Sequence, residues 1–227
     1  MIITIDGPVA SGKSTIARSI AQRLGYYYIA SGAVYRSLAY LLMRECGYRL
    51  ETIGAVAQSD IINLLDAKRL LYCYASGTGE TLVFDGEDIT QYLSASDVAN
   101  AASVMSANPI VRDAVVCFLR NLVKNVDSIT DGRDCGSVLF PDAEIKFFLT
   151  ASLDVRALRW QKLQAVLGNV VDFDEAKKLV SARDKRDSER AVAPLVIPDG
   201  ALIIDSSALS QDQVIDLIID VVKNKIS

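Results

Sequence analysis

Short apolar runs separated by segments of helical period set the rhythm of this chain. Residues 2–5 read Ile-Ile-Thr-Ile and predict a strand, while residues 13–24 place Ala17, Ile20, Ala21 and Leu24 on one helical face. Residues 27–29 predict a second strand, followed by a helix carrying Tyr35, Leu38, Ala39 and Leu42. Residues 128–130, 145–149 and 202–204 predict three more strands, the last leading into a helix with Val214, Ile215, Leu217, Ile218, Val221 and Val222. Ser210 and Gln213 stand at capping-box spacing where that helix begins. Strands alternating with helices predict a doubly wound α/β core on a parallel sheet.

Two regions break the rhythm. Residues 70–75 and 81–84 are strand-like and flank Ser76-Gly77-Thr78-Gly79-Glu80, a hairpin signal. A hairpin is antiparallel, so residues 60–107 are expected to form a subdomain inserted into the parallel core. Asn108-Pro109 then opens a helix, with proline at its first position. Residues 154–190 form two highly charged helical segments separated by Gly168-Asn169.

Composition narrows the partners. The chain has 227 residues, about half of them apolar, enough for one sizeable core. Its 24 basic and 28 acidic side chains leave a net charge of −4, which argues against a polynucleotide ligand. No run approaches the roughly 20 apolar residues of a membrane span. The strand-like start leaves no room for a signal peptide, and the four cysteines (Cys46, Cys73, Cys117 and Cys135) form no C-x-x-C pair. Reduced thiols and a cytoplasmic location are therefore expected, the cysteines being read at least as readily as small core hydrophobes as reactive groups. Histidine is absent, which excludes any mechanism that needs imidazole.

The sharpest motif is Gly7-Pro8-Val9-Ala10-Ser11-Gly12-Lys13-Ser14, which fits the P-loop pattern at every fixed position. A strand precedes it and an amphipathic helix follows, as the motif requires. Its glycines let successive backbone N–H groups face phosphates at the positive end of a helix dipole. Lys13 would bridge the β- and γ-phosphates, and the Ser14 hydroxyl would ligate Mg²⁺. A GTP-dependent switch would need N-K-x-D, and no such tetrad occurs. A small-molecule kinase is the better reading.

Five further motifs specify the acceptor. They are Ser31-Gly32-Ala33-Val34-Tyr35-Arg36, Phe84-Asp85-Gly86-Glu87-Asp88, Ala99-Asn100-Ala101-Ala102-Ser103, Asp131-Gly132-Arg133-Asp134 and Arg190-Ala191-Val192-Ala193-Pro194-Leu195. With the P-loop, they make the sequence resemble bacterial cytidylate kinases over essentially its whole length. The resemblance implies an α/β P-loop kinase core with a parallel sheet flanked by helices, an inserted antiparallel subdomain for the monophosphate, and a helical lid. Residues 1–59, 108–153 and 191–227 would form the core, 60–107 the insert and 154–190 the lid. The implied reaction is ATP-dependent phosphorylation of CMP and dCMP to CDP and dCDP with Mg²⁺, by a monomer. A broader UMP/CMP-type kinase is the alternative enzyme, and a nucleotide-binding switch the alternative of another class.

The resemblance also assigns residues. Gly7, Ala10, Ser11, Gly12, Lys13, Ser14 and Thr15 would bind ATP. Ser14, with Asp131 acting through water, would serve the metal. Ser31, Arg36, Arg133 and Arg190 would surround the acceptor phosphate, a role suited to planar guanidinium groups. Ser103, Arg112 and Asp134 would read cytosine, whose N4 amino group donates to a carboxylate. Asp134 could also do no more than pair with a neighbouring arginine. Arg183 and Asp187 would hold the sugar hydroxyls. Lys13 and Arg133, with lid arginines drawn from Arg156, Arg159 and Arg186 beside Lys185, would stabilise the transferring group. Two departures from the family pattern stand out. Ala30 occupies a position that is commonly Asp, and Trp160 one that is commonly basic, so the lid would rest on fewer charges.

Overall fold

The computed structural model describes every residue except Thr78 and Ser227. The elements are β1 (Ile2–Asp6), α1 (Lys13–Leu24), β2 (Tyr27–Ala30), α2 (Ser31–Cys46), α3 (Gln58–Leu64), β3 (Leu70–Ala75), β4 (Gly79–Phe84), β5 (Glu87–Asp88), α4 (Ser96–Met105), α5 (Pro109–Leu122), β6 (Ser128–Gly132), β7 (Ile145–Thr150), α6 (Leu153–Val166), α7 (Phe173–Glu189), β8 (Leu202–Asp205) and α8 (Gln211–Ile226). A single π-helical turn, Cys135–Leu139, follows β6. The fold is mixed α/β: a parallel sheet flanked by helices, and a separate antiparallel sheet of three strands.

Contacts divide the chain into two compact units, Met1–Tyr26 with Ile129–Ser227, and Tyr27–Ser128. In the first, strands run in the order β6-β1-β7-β8. Ile3 pairs with Ile145 and Phe147 with Leu202, both in parallel register. Along β7, Ile145, Phe147 and Leu149 are buried while Lys146, Phe148 and Thr150 are less so, the period of two that a strand imposes. Side chains such as Ile3, Ile5 and Phe147 are completely buried. Each stabilises the sheet by roughly 1.5–3 kcal/mol through lost water contact. α1 packs against α8, where Arg23 lies 2.8 Å from Asp216. The predicted capping box forms: Ser210 N donates to Gln213 Oε1 at 2.8 Å and Gln213 N to Ser210 Oγ at 3.2 Å. The two charged segments are the packed pair α6 and α7.

The second unit holds the hairpin. β3 and β4 pair antiparallel from Leu70↔Phe84 to Ala75↔Gly79, and β5 adds a short edge. β4 begins at Gly79, two residues before the predicted strand, so the connection is tighter than the pattern suggests; Thr78 of the predicted turn lies outside the described residues. Arg69 clasps Asp85 across the far end, Nη2 to Oδ2 at 2.6 Å. Asn108 caps α5 by accepting from Ile110 N at 2.9 Å, with Pro109 behind it. The pattern reading passes over α3 and α4: α3 has only seven residues, while α4 buries Val98, Ala101, Ala102 and Met105 at helical spacing. The cysteine expectation needs correction. Cys46, Cys73 and Cys117 are exposed, and Cys135 alone of the four is a buried core residue.

Tyr72 ties β3 to β2, its hydroxyl donating to Tyr28 O at 3.2 Å and accepting from Ala30 N at 2.9 Å. Replacing it by Phe keeps the ring and removes both bonds, one of them the acceptor for a buried N–H. Tyr72→Phe should lower stability by about 1–3 kcal/mol in urea unfolding, with an unchanged m value.

Candidate active site

The P-loop bridges β1 and α1, and its first glycine is fixed by space as much as by conformation. A Cβ on Gly7 would lie 2.0 Å from the carbonyl oxygen of Leu149, so no other residue fits without moving β7. Ala10 and Gly12 adopt left-handed backbone, φ 59° and 98°, which curls the loop around Lys13. Lys13 is buried, its Nζ donating to Pro8 O at 2.6 Å and to Ser11 Oγ at 3.2 Å. Burial pushes the ammonium well below its ordinary pKa. Arg133 and Arg183 push the same way, while Asp131 and Asp6 oppose them. Two guanidinium groups and two carboxylates thus act on the one buried ammonium of the loop.

Ser14 Oγ donates to Asp131 Oδ2 at 2.6 Å. This pairs an exposed hydroxyl with a carboxylate on β6, both hard oxygen donors. Among the described residues no group of three or more Cys, Asp or Glu could hold a metal by itself. A hydroxyl and a nearby carboxylate of this kind fit Mg²⁺, which usually keeps several waters and is bound through one or two carboxylates plus phosphate oxygens.

The expected lid arginines are tied to the loop itself. Arg156 is buried and donates from Nε to Ala151 O at 2.9 Å, from Nη1 to Val9 O at 3.2 Å, and to Asp184. Arg159 Nη1 donates to Ser11 O at 3.2 Å and to Ser206 Oγ at 3.0 Å, and its Nη2 to Ser206 O at 2.9 Å. Both guanidinium groups brace the backbone of the phosphate loop. Arg186, by contrast, is exposed on α7, as is Lys185. Trp160 lines a cavity beside the loop together with Arg159 and Thr15.

The Asp131-Gly132-Arg133-Asp134 run continues from β6 into two ion pairs. Arg133 Nε donates to Asp187 Oδ2 at 2.8 Å, and Arg190 Nη2 to Asp134 Oδ1 at 3.2 Å. Arg190 is also held by Ala193 O, 2.5 Å from its Nε. All four side chains are largely removed from water. Arg133, Asp134, Arg183, Asp187 and Arg190 are thus brought into the first unit with the P-loop, and Asp134 does pair with an arginine.

The other expected acceptor residues belong to the second unit. Ser31 opens α2, and Arg36 folds back over the same turn, its Nη1 3.5 Å from where a Cβ on Gly32 would lie. Ala30 is the N-cap and supplies no side-chain bond, so this turn lacks the cap that Asp would give. Arg112 is buried, donates from Nη1 to Ser106 O at 3.2 Å, and lies 5.4 Å from the centre of the Tyr35 ring. Ser103 O accepts from Ser106 Oγ at 3.0 Å, which sets Ser103 and Arg112 about the same turn.

Two residues escaped the sequence. Asp184 accepts from Val9 N at 2.9 Å as well as from Arg156, and nothing distinguished it among the charges of α7. Asp6 had a signal: an acid that ends an apolar strand just before the first loop glycine. Completely buried, it accepts from Cys135 N at 2.8 Å and Gly136 N at 2.7 Å, clamping the π-helical turn after Asp134.

Comparison with known proteins covers the whole chain. The cytidylate kinase family profile matches residues 3–224. A cytidylate kinase of a Geobacillus species is 38% identical over 224 residues, covering 99% of this chain and 97% of that one. One from Bdellovibrio bacteriovorus is 37% identical over 227 residues, covering 100% and 99%. Among solved structures, an uncharacterized protein from Eubacterium ventriosum superposes with a TM-score of 0.50 at 14% identity, over 98% of each chain, a likeness of fold alone.

Burial pushes the Asp6 carboxyl up to about 6 against the pull of its two backbone N–H donors, with Asp134 adding to the rise and Lys13 opposing it. The folded protein therefore takes up a proton between about pH 4 and 6 that the unfolded chain does not. Stability from this group falls as pH rises through that window, by roughly 3 kcal/mol in total. Asp6→Asn cannot titrate. Its melting temperature should fall less, or rise more, than the native protein's between pH 4 and pH 6; parallel curves would contradict the assignment.

Proposed function

This chain belongs to the cytidylate kinase family, phosphotransferases acting on nucleoside monophosphates, and on that premise we propose that it transfers the γ-phosphoryl of ATP to CMP and dCMP. The observation that carries this reading is one run of sequence at the end of β6. Asp131 bonds Ser14 of the P-loop, and Arg133 and Asp134, two and three residues on, form buried ion pairs with Asp187 and Arg190. If Asp131 supports the metal, Arg133 binds phosphate and Asp134 reads the base, chain connectivity keeps the three roles within four residues.

In this reading the loop N–H groups and Lys13 hold the β- and γ-phosphates. Ser14 would ligate Mg²⁺ and Asp131 its water shell, and the ion would neutralise charge on the phosphate oxygens. Arg36, Arg133 and Arg190, with Ser31, hold the acceptor phosphate. One of its oxygens bonds to the γ-phosphorus as the bond to the β–γ bridging oxygen breaks, leaving ADP. That oxygen is already ionised near neutrality, because the second pKa of a phosphate monoester is about 6. No general base is required, which accords with a chain without histidine. Catalysis is alignment and electrostatic stabilisation. Arg156 and Arg159 contribute by bracing the loop, and Arg186 from the exposed face of α7. Residues 60–107 serve as the monophosphate subdomain and 154–190 as the lid that excludes water.

Asp134, with Ser103 and Arg112, would distinguish cytosine from uracil, since uracil presents a carbonyl oxygen where cytosine presents an amino group. Arg183 and Asp187 hold the sugar. The Asp134–Arg190 pair favours a second reading, in which Asp134 only orients Arg190 and the enzyme accepts UMP as well.

ADP release measured with ATP, Mg²⁺ and CMP, dCMP, UMP or AMP should be fast with the two cytidylates alone. Release that does not depend on a monophosphate would instead indicate an ATPase or switch. Lys13→Met should lower kcat by about 10²- to 10³-fold. Asp134→Asn should narrow the preference for CMP over UMP by roughly tenfold. If the variant raises KM for CMP and UMP equally, Asp134 orients Arg190 and does not read the base.

A further inference from the structure

Beside the P-loop lies a cavity of about 390 Å³ whose walls are mostly apolar: Ile16 from α1, Leu149 from β7, Trp160 and Leu163 from α6, then Leu209 and Val214. Ala10, Ser11 and Gly12 of the loop and Thr15 of α1 also line it, so the cavity adjoins the phosphate loop. An apolar slot with an indole in its lining, opening onto a phosphate site, has the chemistry of a nucleobase pocket.

Three of the polar side chains along the same cavity, Arg159, Ser206 and Ser210, are already engaged, which leaves Thr15 and Gln211 beside the loop serine. Arg159 is held by Ser11 O and by both oxygens of Ser206, and Ser206 Oγ donates to Thr150 O at 3.0 Å. Ser210 is committed to its reciprocal cap with Gln213. Few side chains are left to read the hydrogen-bonding edge of a base, whereas the apolar area is large. Position 160 matters most in this balance, because no other residue in the lining offers an aromatic surface.

We infer that Trp160 is the stacking platform for the purine of the phosphoryl donor, and that it selects donors by ring area rather than by edge pattern. This rests on the P-loop being the donor-phosphate site, but not on the identity of the acceptor. The consequence is a donor preference set by size: ATP and GTP bind within a few-fold of each other, and CTP and UTP more weakly. Trp160 therefore acts on donor binding and leaves acceptor binding alone.

Trp160 is the single tryptophan of the chain, so intrinsic fluorescence reports on this position and no other. Native protein titrated with ATP or GTP, without any monophosphate, should show a saturable change in emission. Inorganic tripolyphosphate should compete for the same site with no comparable change. By calorimetry, Trp160→Phe should hold ATP within a few-fold of native, while Trp160→Ala should lose about tenfold or more. In steady state, Trp160→Ala should raise KM for ATP and leave KM for CMP unchanged. The inference is overturned if ATP binds without altering the emission, if Trp160→Ala binds ATP as tightly as Trp160→Phe, or if GTP binds a hundredfold more weakly than ATP. Because binding is measured without acceptor, failure to phosphorylate CMP would sink the proposed substrate and leave this test standing.

Discussion

A buried ammonium beside two guanidinium groups is tolerated only when the fold supplies compensation, and the architecture around Lys13 supplies it. Removing a charge from water costs several kcal/mol unless hydrogen bonds and counter-charges replace the lost solvent. Pro8 O and Ser11 Oγ accept from the ammonium, and Asp131 and Asp6 oppose its deprotonation. Each of these partners is itself pinned. Asp131 takes the Ser14 proton donor, Asp6 takes two backbone N–H groups, and Ser11 O is gripped by Arg159. Arg133 and Arg183 still push against the lysine, so the compensation is partial.

Geometry makes the loop rigid as well as positive. Gly7 is closed in by Leu149 O, Val9 is held at both its N–H and its carbonyl by Asp184 and Arg156, and Ser11 is held by Arg159. A loop braced at three successive odd positions keeps its amides aimed without a ligand present to organise them. Such preorganisation is what makes electrostatic stabilisation effective, since little reorganisation is needed as charge moves.

What the sequence revealed and what it hid divide along a physical line. Features fixed by local spacing were legible: the P-loop, the helix from Lys13 to Leu24 residue for residue, the Asn108-Pro109 start and the Ser210/Gln213 cap. So was the alternation that builds the parallel sheet. Features fixed by contacts across long separations were not. Asp184 meets Val9 over 175 positions, and Asp6 meets Gly136 over 130, with no periodicity to betray either. Arg156 and Arg159 stand out in the sequence only through the family pattern, and nothing local says that their guanidinium groups brace loop carbonyls. α4 was passed over although Val98, Ala101, Ala102 and Met105 are buried at helical spacing, so that local signal was there to be read.

The four charged side chains Arg133, Asp134, Asp187 and Arg190 pose a last question of electrostatics. Two buried acid–base pairs add little to stability, because desolvating the ions consumes most of what their attraction returns. Their value lies in orientation. Arg133 is engaged through Nε and Nη1, and Arg190 through Nε and Nη2, so each planar fork is locked at two points. A locked guanidinium loses less side-chain entropy when an anion arrives than a solvated one would. The acids also offset the charge of the two arginines where both pairs are largely removed from water. The donors are thus aimed before any anion arrives.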